Sequence, residues 1–125
     1  MKNPLVLVVD DDPDILDAIC DILQAEGYRV ERARHGLEAL ERVAARRPDL
    51  ILLDLMMPVM DGVAFAQALR DRKMYEGLPI VVISADGNPQ RAAAVGAQVY
   101  LAKPFDIDAL LGAVSRLVGE EALPN

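Results

Sequence analysis

A chain of 125 residues that is 53% hydrophobic, with no Trp, is sized for one domain around an aliphatic core. Its formal net charge of −7, from 20 acids against 13 bases, argues against nonspecific nucleic-acid binding, which relies on a basic face. The single cysteine, Cys20, excludes an intrachain disulfide. No apolar stretch approaches the ~20 residues that cross a bilayer, and no signal-peptide pattern follows Met1, so a cytoplasmic protein without membrane insertion is expected.

Strand-like and helix-like periods alternate along the chain. Leu5 to Val9 is continuously apolar and too short for a helix, so it reads as a strand. Asp12-Pro13 then offers an N-cap and a proline at the first helical position, with Ile15, Ile19, Ile22 and Leu23 on one face of a helix ending near Gly27. Tyr28 to Ala33 is a weak, charge-alternating strand suited to a sheet edge. Leu37, Leu40, Val43 and Ala44 mark a second helix, closed by Arg46, Arg47 and Pro48. Residues 49–54 form the third strand, and Gly62 opens a third helix with Phe65, Ala66 and Leu69 inward. Residues 80–84 and 98–102 are the fourth and fifth strands. Between them, Asn88-Pro89 begins a helix that Gly96 limits to about two turns. Ile107, Leu110, Leu111, Val114, Leu117 and Val118 trace the last helix, capped by Asp106, and residues 119–125 read as a frayed tail. Five (βα) units predict an α/β fold: a flavodoxin-like, doubly wound, five-stranded parallel sheet in the order 2-1-3-4-5 with right-handed crossovers.

The chemistry lies where the strands stop. The first strand runs into Asp10-Asp11-Asp12, the third ends on Asp54, the fourth on Ser84, and the fifth on Lys103-Pro104. In a parallel sheet these ends share one edge, where such folds bind ligands. Two unit charges ~4 Å apart repel by roughly 4 kcal/mol at an effective dielectric of about 20. Clustered carboxylates therefore raise their own pKa values or recruit a cation, and all-oxygen donors favour a hard ion such as Mg²⁺. Taken alone, Asp10-Asp11-Asp12 reads equally well as a helix cap with solvated acids; Asp12 fits the cap, which leaves Asp10 and Asp11 to explain. A carboxylate at the position of Asp54 can attack phosphorus, Ser84 can donate to a phosphoryl oxygen, and Lys103 can neutralise its charge. Each of the three also has a bland reading, as turn acid, turn former and solvated surface amine. A cis bond between Lys103 and Pro104 would aim the lysine inward.

Taken in order, Val8-Val9-Asp10-Asp11, Leu53-Asp54-Leu55-Met56-Met57-Pro58, Asp61-Gly62, Ser84-Ala85 and Lys103-Pro104-Phe105 resemble the receiver domains of two-component response regulators. The family includes the chemotaxis response regulator, and the resemblance runs from Leu5 to Val118. It implies a single receiver domain over residues 1–125 and no enzymatic activity beyond the domain's own phosphorylation and dephosphorylation; with little chain left after the last helix, no output domain is expected. It implies Asp54 as phospho-acceptor and Mg²⁺ held by Asp11, Asp54 and the backbone carbonyl of Met56, with Asp10 assisting. Lys103 and Ser84 would contact the phosphoryl group, and Ser84 with Tyr100 would form the switch. The implied partner is a histidine kinase or histidine phosphotransfer protein. The segment from Ser84 to Lys103 is about one turn shorter than the usual family pattern, at the expense of helix 4, which puts an ordinary output face in question.

Three other readings compete. A Mg²⁺-dependent aspartyl-phosphate phosphohydrolase would use the same residues, but 125 residues leave no cap or substrate pocket. A receiver-fold interaction module that is never phosphorylated would not need the intact set of Asp10, Asp11, Asp54, Ser84 and Lys103. A flavodoxin-type cofactor binder would not place three aspartates after its first strand, where they repel a phosphate. His35 reads as a surface loop residue rather than a phosphohistidine, Cys20 as partly buried and inert, and Met56, Met57 and Met60 as loop and packing residues. Arg70, Arg72 and Lys73 read as a complement to the dipole of their own helix.

Overall fold

The computed structural model describes residues 4–57, 60–73, 76–85 and 89–118. The expected tail at 119–125, the expected helix start at Asn88, and Pro58 of the motif lie outside the described residues. The elements alternate strictly: β1 (Leu5–Val9), α1 (Pro13–Ala25), β2 (Arg29–Ala33), α2 (Gly36–Ala45), β3 (Leu50–Asp54), α3 (Gly62–Asp71), β4 (Ile80–Ser84), α4 (Pro89–Val95), β5 (Val99–Ala102) and α5 (Ile107–Val118). The sheet order is β2-β1-β3-β4-β5, with every neighbouring pair parallel. This is the predicted α/β architecture.

The continuous apolar runs end up where such runs belong, in strands covered on both faces. Every residue of β1, β3 and β4 is buried. Period-two alternation sends Leu7, Val9, Ile51, Leu53, Ile80 and Val82 to the face packed by α2, α3 and α4. It sends Val6, Val8, Leu50, Leu52, Val81 and Ile83 to the face packed by α1 and α5. Each fully buried Leu or Ile contributes roughly 2 kcal/mol relative to exposure, so a one-residue slip of any central strand is prohibitive. The charged β2 takes the edge beside β1, and the shorter β5 the opposite edge.

The helices carry most of the predicted faces, with shifts. In α1 the Asp12 side chain accepts from the amides of Asp14 and Ile15, with Pro13 at the first position, as expected. Its buried stripe, however, is Leu16, Ile19, Cys20 and Leu23; Ile15 and Ile22 flank it half-buried. Cys20 is thus fully rather than partly buried, and burial pushes its thiol pKa up, which keeps it inert. In α2, Leu40 and Val43 are inward but Leu37 is 46% exposed and Ala44 is exposed. The first inward position is Gly36, pressed against Met60, and the next residue turns about 100° away. In α5, Leu110 and Val114 are buried with Ala113, whereas Ile107 is exposed in the opening turn. Asp106 holds the cap position, its carbonyl accepting from the Leu110 amide. The expected face of α3 is the observed one. The two-turn α4 is seven residues long, the shortest helix among the described residues.

Candidate phosphoryl-acceptor site

Among the described residues, the buried polar or charged side chains are Asp10, Asp54 and Ser84. They stand at the carboxyl ends of β1, β3 and β4, three adjacent strands. Parallel pairing places these ends together, and β5 delivers Lys103 beside them, its amide donating to the Ser84 carbonyl at 3.0 Å. Carboxylate oxygens of Asp10, Asp11 and Asp54 lie within 4.8 Å of one another. The Lys103 ammonium is 2.9 Å from Asp10 Oδ2 and 3.4 Å from Asp54 Oδ2. The Lys103–Pro104 peptide bond is cis.

Backbone amides fix the carboxylates. Asp10 Oδ1 accepts from the Asp12 amide at 2.9 Å, and Asp54 Oδ1 from the Met56 amide at 3.1 Å. The loop after β3 folds back tightly: the Gly62 amide donates to the Leu55 carbonyl at 3.1 Å, and Asp61 caps α3 through the Ala64 amide at 2.8 Å. A Cβ on Gly62 would meet Leu55 Cα at 2.9 Å and the Asp54 carbonyl at 3.0 Å. Glycine at 62 is therefore a condition for the position of Asp54. The sequence marks it as a helix start and, with Asp61, as one piece of the motif set.

Burial dominates the electrostatics. Desolvation, reinforced by the nearby Asp10 charge, lifts Asp54 from 3.8 to about 6, against the lowering pull of the Met56 amide and Lys103. Burial alone would lower the Lys103 ammonium, but Asp10 and then Asp54 hold its pKa above the ordinary value. Asp10 Oδ2 is buried, with the Lys103 ammonium 2.9 Å away as its ion-pair partner. Three carboxylates gathered this closely with one ammonium to balance them fit a hard divalent cation such as Mg²⁺, which takes oxygen donors and keeps several waters.

The other expected site residues fall around this cup. Met56 follows Asp54 in the loop with its side chain 50% exposed, whereas Met57 is buried and Met60 packs on the core. Ser84 is fully buried on the face that carries Ile80 and Val82. Tyr100 packs on that same face, and its hydroxyl is already buried, without a hydrogen-bond partner. A switch in which the ring turns inward only after Ser84 moves therefore starts, in this structure, from a ring whose hydroxyl is inside. His35 is half-buried and caps α2, its Nδ1 accepting from the Glu38 amide at 3.3 Å. Arg70 lies in the last turn of α3, where its charge suits the helix dipole, and its guanidinium also donates to the carbonyls of Ala94 at 3.3 Å and Val95 at 3.0 Å, at the end of α4. Arg91 of α4 reaches Met56. Neither role is visible in the sequence, since both depend on which helices become neighbours. An apolar cleft of about 430 Å³, lined in part by Ile15, Ala18, Ile19 and Phe105, also opens onto Lys103.

Residues 6–115 match the family model described as the response regulator receiver domain. The chain is similar to the response regulator MprA of Mycobacterium ulcerans, 41% identical over 123 residues, covering 96% of this chain and 52% of that protein. It is also similar to the sporulation initiation phosphotransferase F of Bacillus subtilis, 36% identical, covering 93% of this chain and 94% of that one. Most of the first curated relatives are thus about twice as long as the matched region. Among solved structures, the receiver domain of the sensor histidine kinase PA1611 of Pseudomonas aeruginosa, with a magnesium ion in its active-site cleft, superposes with a TM-score of 0.87 at 30% identity. That match covers 94% of this chain and 99% of the other.

Proposed function

The chain belongs to the response regulator receiver family, and from that premise we propose that residues 1–125 form one receiver domain that accepts a phosphoryl group on Asp54. The donor is a histidine kinase or histidine phosphotransfer protein, and the setting is the cytoplasm; no helix among the described residues is long and apolar enough to cross a membrane. The observation that carries this reading is the meeting of Asp10, Asp11, Asp54 and Lys103 at one sheet edge, with Asp54 buried and held by the Met56 amide.

An oxygen of the ionised Asp54 carboxylate forms the new O–P bond as the P–N bond of the donor phosphohistidine breaks, its electron pair returning to the imidazole nitrogen. Little covalent chemistry is asked of the protein, so positioning and charge stabilisation dominate. Lys103, already 3.4 Å from Asp54, meets the charge on the transferring group. Asp11, Asp54 and the Met56 carbonyl would hold Mg²⁺ with Asp10 assisting, and the ion would supply Lewis-acid neutralisation of the phosphoryl oxygens. The Ser84 hydroxyl then engages a phosphoryl oxygen and shifts the balance of Tyr100 positions, altering partner binding as a population shift.

The test is incubation with acetyl phosphate, followed by intact-protein mass spectrometry. The wild type should gain one acid-labile phosphoryl group with Mg²⁺ and none with excess chelator, and Asp54→Ala should gain none. Undiminished labelling of Asp54→Ala removes that residue from its role. An unlabelled wild type favours an interaction module that phosphorylation does not regulate, and multiple turnover of small phosphate esters favours a phosphohydrolase.

A further inference from the structure

Arg91 belongs to α4, yet its guanidinium Nη1 donates to the Met56 sulfur at 3.0 Å. Met56 in turn donates its amide to Asp54 Oδ1. Two contacts thus connect the acceptor carboxylate to α4. Arg91, Met56, Asp11 and Asp61 line one open cleft of about 350 Å³, on the side of the cup where Asp11 is exposed. The other end of α4 is tied down: Arg70 of α3 donates to the Ala94 and Val95 carbonyls. The helix between these ties is seven residues long.

A thioether is a weak acceptor. A guanidinium matches phosphate oxygens in geometry and charge, and such charge-assisted bonds are about twice as strong as neutral ones. We propose that Arg91 senses the phosphoryl group: once Asp54 carries it, Arg91 leaves the Met56 sulfur for a phosphoryl oxygen, and α4 pivots about its Arg70-bound end. This rests on phosphorylation of Asp54. It supplies a route to α4 that bypasses Tyr100, whose hydroxyl is already inside. The exchange breaks no covalent bond; one acceptor replaces another.

The experiment uses beryllofluoride with Mg²⁺ as the phosphoryl mimic and acetyl phosphate for covalent labelling, on the whole chain. Wild type, Arg91→Ala, Arg91→Lys and Met56→Leu are compared. Acetyl phosphate should label the wild type and both Arg91 variants on Asp54, so the phosphorylation reading is scored separately. In the wild type, labelling should change amide exchange across residues 89–95. In labelled Arg91→Ala that response should disappear and beryllofluoride should bind roughly tenfold more weakly, the scale of a lost charge-assisted bond. Arg91→Lys should recover part of the affinity. Met56→Leu, which removes the competing acceptor at similar volume, should bind beryllofluoride more tightly than wild type. These opposite signs would not arise from a merely structural role. An α4 response in labelled Arg91→Ala equal to that of the wild type overturns the proposal. An unlabelled wild type overturns the phosphorylation reading and the sensor with it.

Discussion

At the sheet edge, Asp10 and Asp54 are each held by a backbone amide and by Lys103. Helix α4, by contrast, is held by side chains that belong to other parts of the chain: Arg70 from α3 at one end, Met56 from the β3–α3 loop at the other. The cup is rigid because fully buried strands deliver its groups. The short helix is positioned from outside, since two turns are too few to be stable by themselves in water. A chemical centre delivered by buried strands thus stands beside a short helix tethered by side chains from other elements.

The largest expected effect probes the strain within the cup. Burial lifts the Asp54 pKa from 3.8 to about 6, so the fold favours its neutral form. Its contribution to stability is then complete below pH 3.8 and is lost as pH rises through 6. Without divalent cation at pH 7.5, Asp54→Asn should stabilise the protein, by more than it does below the ordinary carboxylate range. It should change little at pH 4. Added Mg²⁺ should shrink the difference, because a cation favours the ionised carboxylate. Urea unfolding at the two pH values reads this out, and a mutant no more stable than wild type at pH 7.5 contradicts the picture of a desolvated Asp54 carboxylate.

Next comes the loop that positions Asp54. Gly62→Ala puts a methyl against Leu55 Cα and the Asp54 carbonyl. It should cost about 1–3 kcal/mol, as overpacking does, and slow acetyl phosphate labelling as well. Wild-type labelling in this mutant would show that the cup tolerates a backbone shift.

The smallest pair of effects sharpens the contrast between helices. Asp12→Ala removes the cap that α1 supplies for itself and should cost about 1 kcal/mol of global stability. Arg70→Ala should cost at most about 1 kcal/mol globally, yet speed amide exchange in 89–95 while leaving α1 unchanged. Equal loosening of both helices by Arg70→Ala would mean that α4 is not tethered from outside.

Much of this was legible beforehand. Runs such as Leu50-Ile51-Leu52-Leu53 admit one arrangement, a strand covered on both faces, and their alternation with helical periods leaves one common sheet order. Asp10, Asp54, Ser84 and Lys103 were legible because they terminate such runs. The helix faces were legible to within a step, as the shift from Ile15 and Ile22 to Leu16 and Cys20 shows: neighbouring apolar residues compete for the inward position. The cross-element contacts of Arg70 and Arg91 were not, because a guanidinium reaching across to another element leaves no periodic trace.

The amino-acid sequence by itself determined the sheet, its two cores and the edge at which the acids gather, because local hydrophobic period and strand termini suffice for these. Tertiary structure alone decided how far desolvation lifts Asp54, that Tyr100 already lies with its hydroxyl inside, and which arginines hold α4. Each of these depends on distances between segments far apart in the chain, which exist only once the elements have packed.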